Sequence, residues 1–95
     1  MKTEAHLQAY LFRRAREHVI YCRKMEARGR VGFPDILMVR DSRVVFIELK
    51  SPSGTGRLSA MQKREIRRLK DAGAQVYVVD SKEGVDNVFK QIADA

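Results

Sequence analysis

The stretch "DILMVRDSRVVFIELK", residues 35–50, reads as two strands joined by a turn. Residues 35–40 and 44–50 are rich in branched and aromatic apolar side chains, with Asp41-Ser42 between them. If those two residues are the whole turn, Arg40 faces Arg43 and Asp35 lies directly opposite Glu48. A four-residue loop over 40–43 keeps this register, whereas a three-residue loop breaks it. Asp-Ser is not the favoured dipeptide of a tight hairpin, so the sequence leaves the loop length open.

The register matters because opposed residues on one face have Cβ atoms about 5 Å apart. Two ionised carboxylates about 4 Å apart repel by roughly 4 kcal/mol at an effective dielectric of 20. That is a large share of the ~5–15 kcal/mol that holds a domain together. A divalent cation offsets it, and magnesium takes one or two carboxylates together with waters and substrate phosphates. Glu48 and Lys50 alternate onto the same face of their strand. The Lys50 ammonium therefore stands beside such an ion, placed to stabilise hydroxide or developing phosphorane charge. The plainer alternative is a Glu48–Lys50 or Asp35–Lys50 salt bridge, which suffices for an isolated E-x-K. The conjunction of Pro-Asp, matched register, E-x-K and a basic surface favours the metal site.

Working outward, Thr3 caps a first helix running to about Glu17, with Glu4, Leu7, Leu11 and Arg14 on one stripe. Residues 19–25 form a first strand, and 26–34 a loop with two arginines, two glycines and a proline. After the Gly/Ser-rich loop 51–58, Ser59 opens a helix to about Ala72, with Gly73 at its C-terminal cap. Residues 74–79 are a fourth strand, and Val85, Val88, Phe89 and Ile92 mark a last amphipathic helix. The order is αβββαβα: an antiparallel three-strand meander, then a right-handed crossover to a parallel fourth strand. The middle strands are apolar on both faces, so an α/β fold with a mixed four-stranded sheet flanked by helices is expected.

Ninety-five residues suit a single domain over 1–95, with a modest core that dimerisation would supplement. Nineteen Lys and Arg against twelve Asp and Glu give a net charge of +7. That excess suits a polyanionic partner, nucleic acid before membrane, since no strongly amphipathic basic helix stands out. The lone Cys22 excludes a disulfide framework and a cysteine-rich zinc site; it reads as a small buried hydrophobe. With no signal peptide and no membrane-spanning run, the expected compartment is a reducing cytoplasm, in a prokaryotic or phage-infected cell. His6 and His18 have no partner at metal-ligand spacing and read as surface or packing residues.

The ordered set "GFPD" (32–35), "ELK" (48–50) and "LSAMQ" (58–62), with Glu4 near the N-terminus, resembles the VRR-NUC branch of the PD-(D/E)xK nucleases. The match spans nearly the whole chain. The resemblance implies a restriction-endonuclease-like core and a metal-dependent phosphodiesterase in which Asp35, Glu48 and the Leu49 backbone carbonyl bind Mg²⁺ or Mn²⁺. It further implies that Lys50 activates the attacking water, that Glu4 contributes directly or through a metal-bound water, and that Gln62 lines the site. Stand-alone members of this branch resemble Holliday-junction resolvases and are homodimers, so branched or duplex DNA is the implied substrate.

Helix chemistry alone could account for Gln62 and Glu4. Ser59 and Gln62 fit a capping box, in which Gln62 reaches back to the Ser59 amide; yet Gln62, Ile66 and Leu69 share an inward face. Glu4 could simply favour the helix dipole. Arg28, Arg30, Arg57, Lys63, Arg64, Arg67 and Arg68 fill the rim and could neutralise phosphates around the scissile one. Phe33 is the one candidate for base stacking. The rival function is a non-catalytic nucleic-acid-binding module that keeps the nuclease fold.

Overall fold

The computed structural model describes residues 3–25, 32–52 and 57–93. Seven elements follow in the expected order: α1 (Glu4–Glu17), β1 (Tyr21–Lys24), β2 (Ile36–Arg40), β3 (Arg43–Leu49), α2 (Ala60–Asp71), β4 (Gln75–Val79) and α3 (Lys82–Ala93). The sheet runs β1-β2-β3-β4, antiparallel through the meander and parallel between β3 and β4.

The hairpin takes the two-residue turn. Arg40 pairs with Arg43 and Ile36 with Ile47, so the next position outward sets Asp35 against Glu48. Asp41 and Ser42 have φ of 49° and 68°, the left-handed pair of a type I′ turn. Asp tolerates that region because its short polar side chain bonds locally, and Ser less so. Inward packing of Met38, Val45 and Ile47, all buried, holds a turn whose own chemistry is indifferent.

Each face of the sheet has its own cover. Leu7, Leu11 and Ala15 of α1 join Val85, Val88, Phe89 and Ile92 of α3 over Cys22, Ile36, Met38, Val45, Ile47 and Leu49. The alternate β3 residues Phe46 and Glu48 therefore face the other way, toward the side where α2 packs on β4. Cys22 is buried in the first layer, and burial pushes its thiol up to about 11, leaving it an inert packing residue.

The helix ends show how α1 and α2 are terminated. Thr3 accepts the amide N–H of His6 at 3.1 Å. Gly73, at φ 98°, ends α2 as the left-handed residue of a Schellman motif: its N–H reaches the Lys70 carbonyl, and Ala74 reaches Leu69. The same pair of bonds ends α1, from Val19 to Arg16 and from Ile20 to Ala15, but there a β-branched valine sits at φ 54°. A left-handed valine is strained, and it is held by Ile20, which is buried in the core beside Ala15.

Candidate active site

The site forms where β2 begins and β3 ends. Asp35 is anchored from both sides. Its carbonyl accepts the Met25 N–H at 2.7 Å, extending the β1–β2 ladder by one residue. Its Oδ1 accepts the Leu49 N–H at 3.3 Å. The Leu49 peptide thus lies against the carboxylate, a contact that strand patterning does not reveal.

Glu48 is the only charged residue buried in the described part of the molecule, at 4 % exposure. Its Oε2 accepts the Gln62 side-chain amide at 2.9 Å and stands 3.4 Å from Lys50 Nζ. Its Oε1 is buried and accepts no hydrogen bond. Burial pushes the Glu48 carboxyl up to about 7; the neighbouring Asp35 charge adds to the rise, and the Lys50 ammonium opposes it. A buried carboxylate oxygen without a partner forfeits about 1–3 kcal/mol. Beside a second carboxylate it lacks just what an oxygen-seeking cation provides, so these residues fit a divalent metal.

Gln62 serves both roles that the sequence leaves open. The capping box is present: Ser59 Oγ accepts the Gln62 N–H at 3.1 Å, and Gln62 Oε1 accepts the Ser59 N–H at 2.9 Å. The same Oε1 accepts from Lys50 Nζ at 2.9 Å, while the amide nitrogen donates to Glu48. One side chain in the first turn of α2 therefore fixes the acid and the amine of "ELK" together. Gly32 locks that helix to the loop preceding Asp35. At φ 91°, its pro-Cβ position is 2.7 Å from the Met61 carbonyl oxygen, leaving no room for a side chain.

Other expectations are corrected. Glu4 is exposed, whereas α1 buries Leu7, Leu11 and Ala15 and half-buries Arg14 over the Phe89 ring. Among the described residues no three His, Cys, Asp or Glu side chains gather closely enough to hold one metal ion, so Glu4 is not brought into a direct ligand set. The reason is the i, i+4, i+8 seam of the core, which turns the first helical turn out toward water. Phe33 is not free to stack a base; it is half-buried edge-on against Phe46, with centroids 5.6 Å apart. Arg57, Lys63, Arg64, Arg67 and Arg68 are exposed, Arg67 with Asp71 3.9 Å away. Arg28 and Arg30 lie outside the described residues.

A mixed sheet between helices, with an acidic pair across β2 and β3 and a lysine two residues on, defines a nuclease-type domain of the PD-(D/E)xK kind. The chain belongs to the VRR-NUC domain family, whose model matches residues 2–83. It is also similar to a solved VRR_NUC domain structure: 29% identity, TM-score 0.83, covering 95% of this chain and 97% of that one. No curated protein matches. Among the described residues no helix is long and apolar enough to cross a membrane.

Proposed function

We propose that this nuclease domain is a Mg²⁺- or Mn²⁺-dependent endonuclease that hydrolyses DNA phosphodiester bonds, with branched DNA such as a four-way junction as its preferred substrate. The observation that carries the reading is the buried, unpartnered Oε1 of Glu48 beside Asp35. Asp35, Glu48 and the Leu49 carbonyl would hold the ion, with Glu4 left outside the direct ligands. When bound, it would supply Lewis acidity and a water of lowered pKa.

The chain's own residues do the rest. Gln62 Oε1 occupies one of the three Lys50 N–H donors and aims the ammonium along the Glu48 side of the site. With Glu48 Oε2 3.4 Å away on one side, the ammonium would offer its remaining N–H to the attacking water or to a non-bridging phosphate oxygen, where negative charge grows in the transition state. Water oxygen bonds to phosphorus as one P–O ester bond breaks; the attacking water releases one proton to solvent, and the departing oxygen takes one from solvent. No covalent enzyme intermediate is needed. As a homodimer, two such sites would cut two strands.

A labelled four-way junction, a linear duplex and a single strand, each with Mg²⁺, Mn²⁺ or EDTA, test the proposal. Cleavage that needs metal and is fastest on the junction is expected. Metal-independent binding without products would instead establish the non-catalytic module.

A further inference from the structure

The solvent side of α1 carries a second basic feature, away from the carboxylates. His6, Ala9, Tyr10, Arg13 and Arg16 recur every three or four residues and so form one helical stripe. With Lys82, the first residue of α3, they line an open groove of about 610 Å³. Ala9 is the one small side chain of the stripe and leaves the space between its neighbours. The Tyr10 ring is flanked by two cations, Arg13 Cζ at 5.2 Å and Lys82 Nζ at 4.9 Å from its centroid. Its hydroxyl donates to Asp86, a bond that raises the phenol pKa and keeps it protonated.

Asp86 is the acid that meets this stripe, and it is already engaged by Tyr10 and by Arg14 at 3.5 Å. Among the described residues Arg13, Arg16 and Lys82 form no ion pair, unlike Arg14, which pairs with Glu17 and Asp86. The amino end of α3, capped by Ser81 on the Gly84 N–H at 3.0 Å, adds its partial positive charge beside Lys82. Positive charge thus converges from two helices, opposed by the engaged Asp86 and by Glu83, which follows Lys82 in the first turn of α3.

The shape narrows the ligand. At a rise of about 1.5 Å per residue, His6 to Arg16 is a track of roughly 15 Å. A compact anion would use one point of it; a nucleic-acid strand, which advances about 3.4 Å per phosphate along its axis, would use it all. Tyr10 has cations on its ring and is not free to stack a base, so contact would be to the backbone and indifferent to sequence. The groove lies on the α1/α3 side of the sheet, whereas Glu48 projects from the face that α2 covers.

We propose that the Arg13–Arg16–Lys82 groove is a second nucleic-acid backbone site, holding a duplex arm other than the one being cut. The inference rests on the nuclease reading only in taking nucleic acid as the polyanion, and its test needs no cleavage. Arg13→Gln/Arg16→Gln/Lys82→Gln and a control, Arg40→Gln/Lys70→Gln/Lys90→Gln, each lower the net charge from +7 to +4. Fluorescence anisotropy with a labelled four-way junction in EDTA, across a salt series, compares them. The groove variant should bind at least tenfold more weakly at 0.1 M salt. Its slope of log K against log salt should be shallower by about 2–3, at roughly 0.9 for each phosphate no longer neutralised. The control should lose less than threefold. Amide shifts of the wild-type protein on adding the junction give an independent readout: residues 6–16 and Lys82 should move. Equal loss in both variants, no loss in either, or shifts confined to the Asp35–Lys50 region would overturn the proposal. So would a groove that binds anionic phospholipid vesicles while leaving junction affinity unchanged. Absence of cleavage by the wild type in metal would count against the nuclease reading alone.

Discussion

Replacing Glu48 by Gln separates the cost of the site from its use. In the metal-free protein the Glu48 carboxyl, buried and facing Asp35, is raised from 4.5 to about 7. An acid whose folded pKa is raised makes the folded state hold a proton that the unfolded chain releases. Wild-type stability therefore falls as pH climbs from about 4.5 to 7 and is level above that. The full shift corresponds to about 3 kcal/mol, at 1.36 kcal/mol per unit. Glu48→Gln removes that penalty, keeps an oxygen for the Gln62 amide, and turns an N–H toward Asp35, but it deprives Lys50 of a counter-charge. The expected outcome in EDTA is a variant about 1–3 kcal/mol more stable than wild type at pH 8 and equal to it near pH 4, read from urea or thermal unfolding. Added Mn²⁺ should raise the melting temperature of wild type and not of the variant, and DNA cleavage should be lost. A variant less stable at pH 8, or one whose advantage does not vary with pH, would refute the view that two carboxylates are held together against their repulsion.

Asp35→Ala should lower cleavage by about 10²–10³-fold or more while leaving the EDTA melting temperature nearly unchanged, since loss of the Leu49 N–H bond is balanced by relief of repulsion. Gln62→Ala and Ser59→Ala should each cost about 1 kcal/mol through the cap; only Gln62→Ala, which also releases Lys50 and Glu48, should reduce single-turnover cleavage by about 10²-fold. Gly32→Ala forces a Cβ onto the Met61 carbonyl at positive φ, so unfolding should show a loss of about 2 kcal/mol or more. Val19→Gly relieves the left-handed valine at the end of α1 and should stabilise by about 1 kcal/mol.

The sheet was legible because residues 36–39 and 44–47 are apolar on both faces and the run between them breaks only at the polar Arg40-Asp41-Ser42-Arg43. One register satisfies both the turn and the core, and that register delivers Asp35 to Glu48. Lys50 follows from strand alternation, and Gln62 from its place on the inward face of α2. What strand and helix periods do not encode is distance around the edge of a sheet. Glu4 shares a helix with Leu7 and Leu11, yet the core seam passes through Ala15 and turns Glu4 to solvent. Phe33 looks free in the sequence because nothing in the loop 32–35 announces Phe46 beneath it. The Leu49 N–H to Asp35 bond and the second task of the Gln62 oxygen arise from tertiary contact alone. The α1 groove is hidden because its residues come from two helices some seventy positions apart in the chain.

The most direct measurement is anomalous diffraction from crystals grown with Mn²⁺. The account predicts one strong peak between Asp35 and Glu48, bonded to Glu48 Oε1 and within reach of the Leu49 carbonyl, and its disappearance in Glu48→Gln crystals. A manganese-soaked crystal with no peak there, and with Glu48 Oε1 still unpartnered or turned to a protein donor, would contradict it.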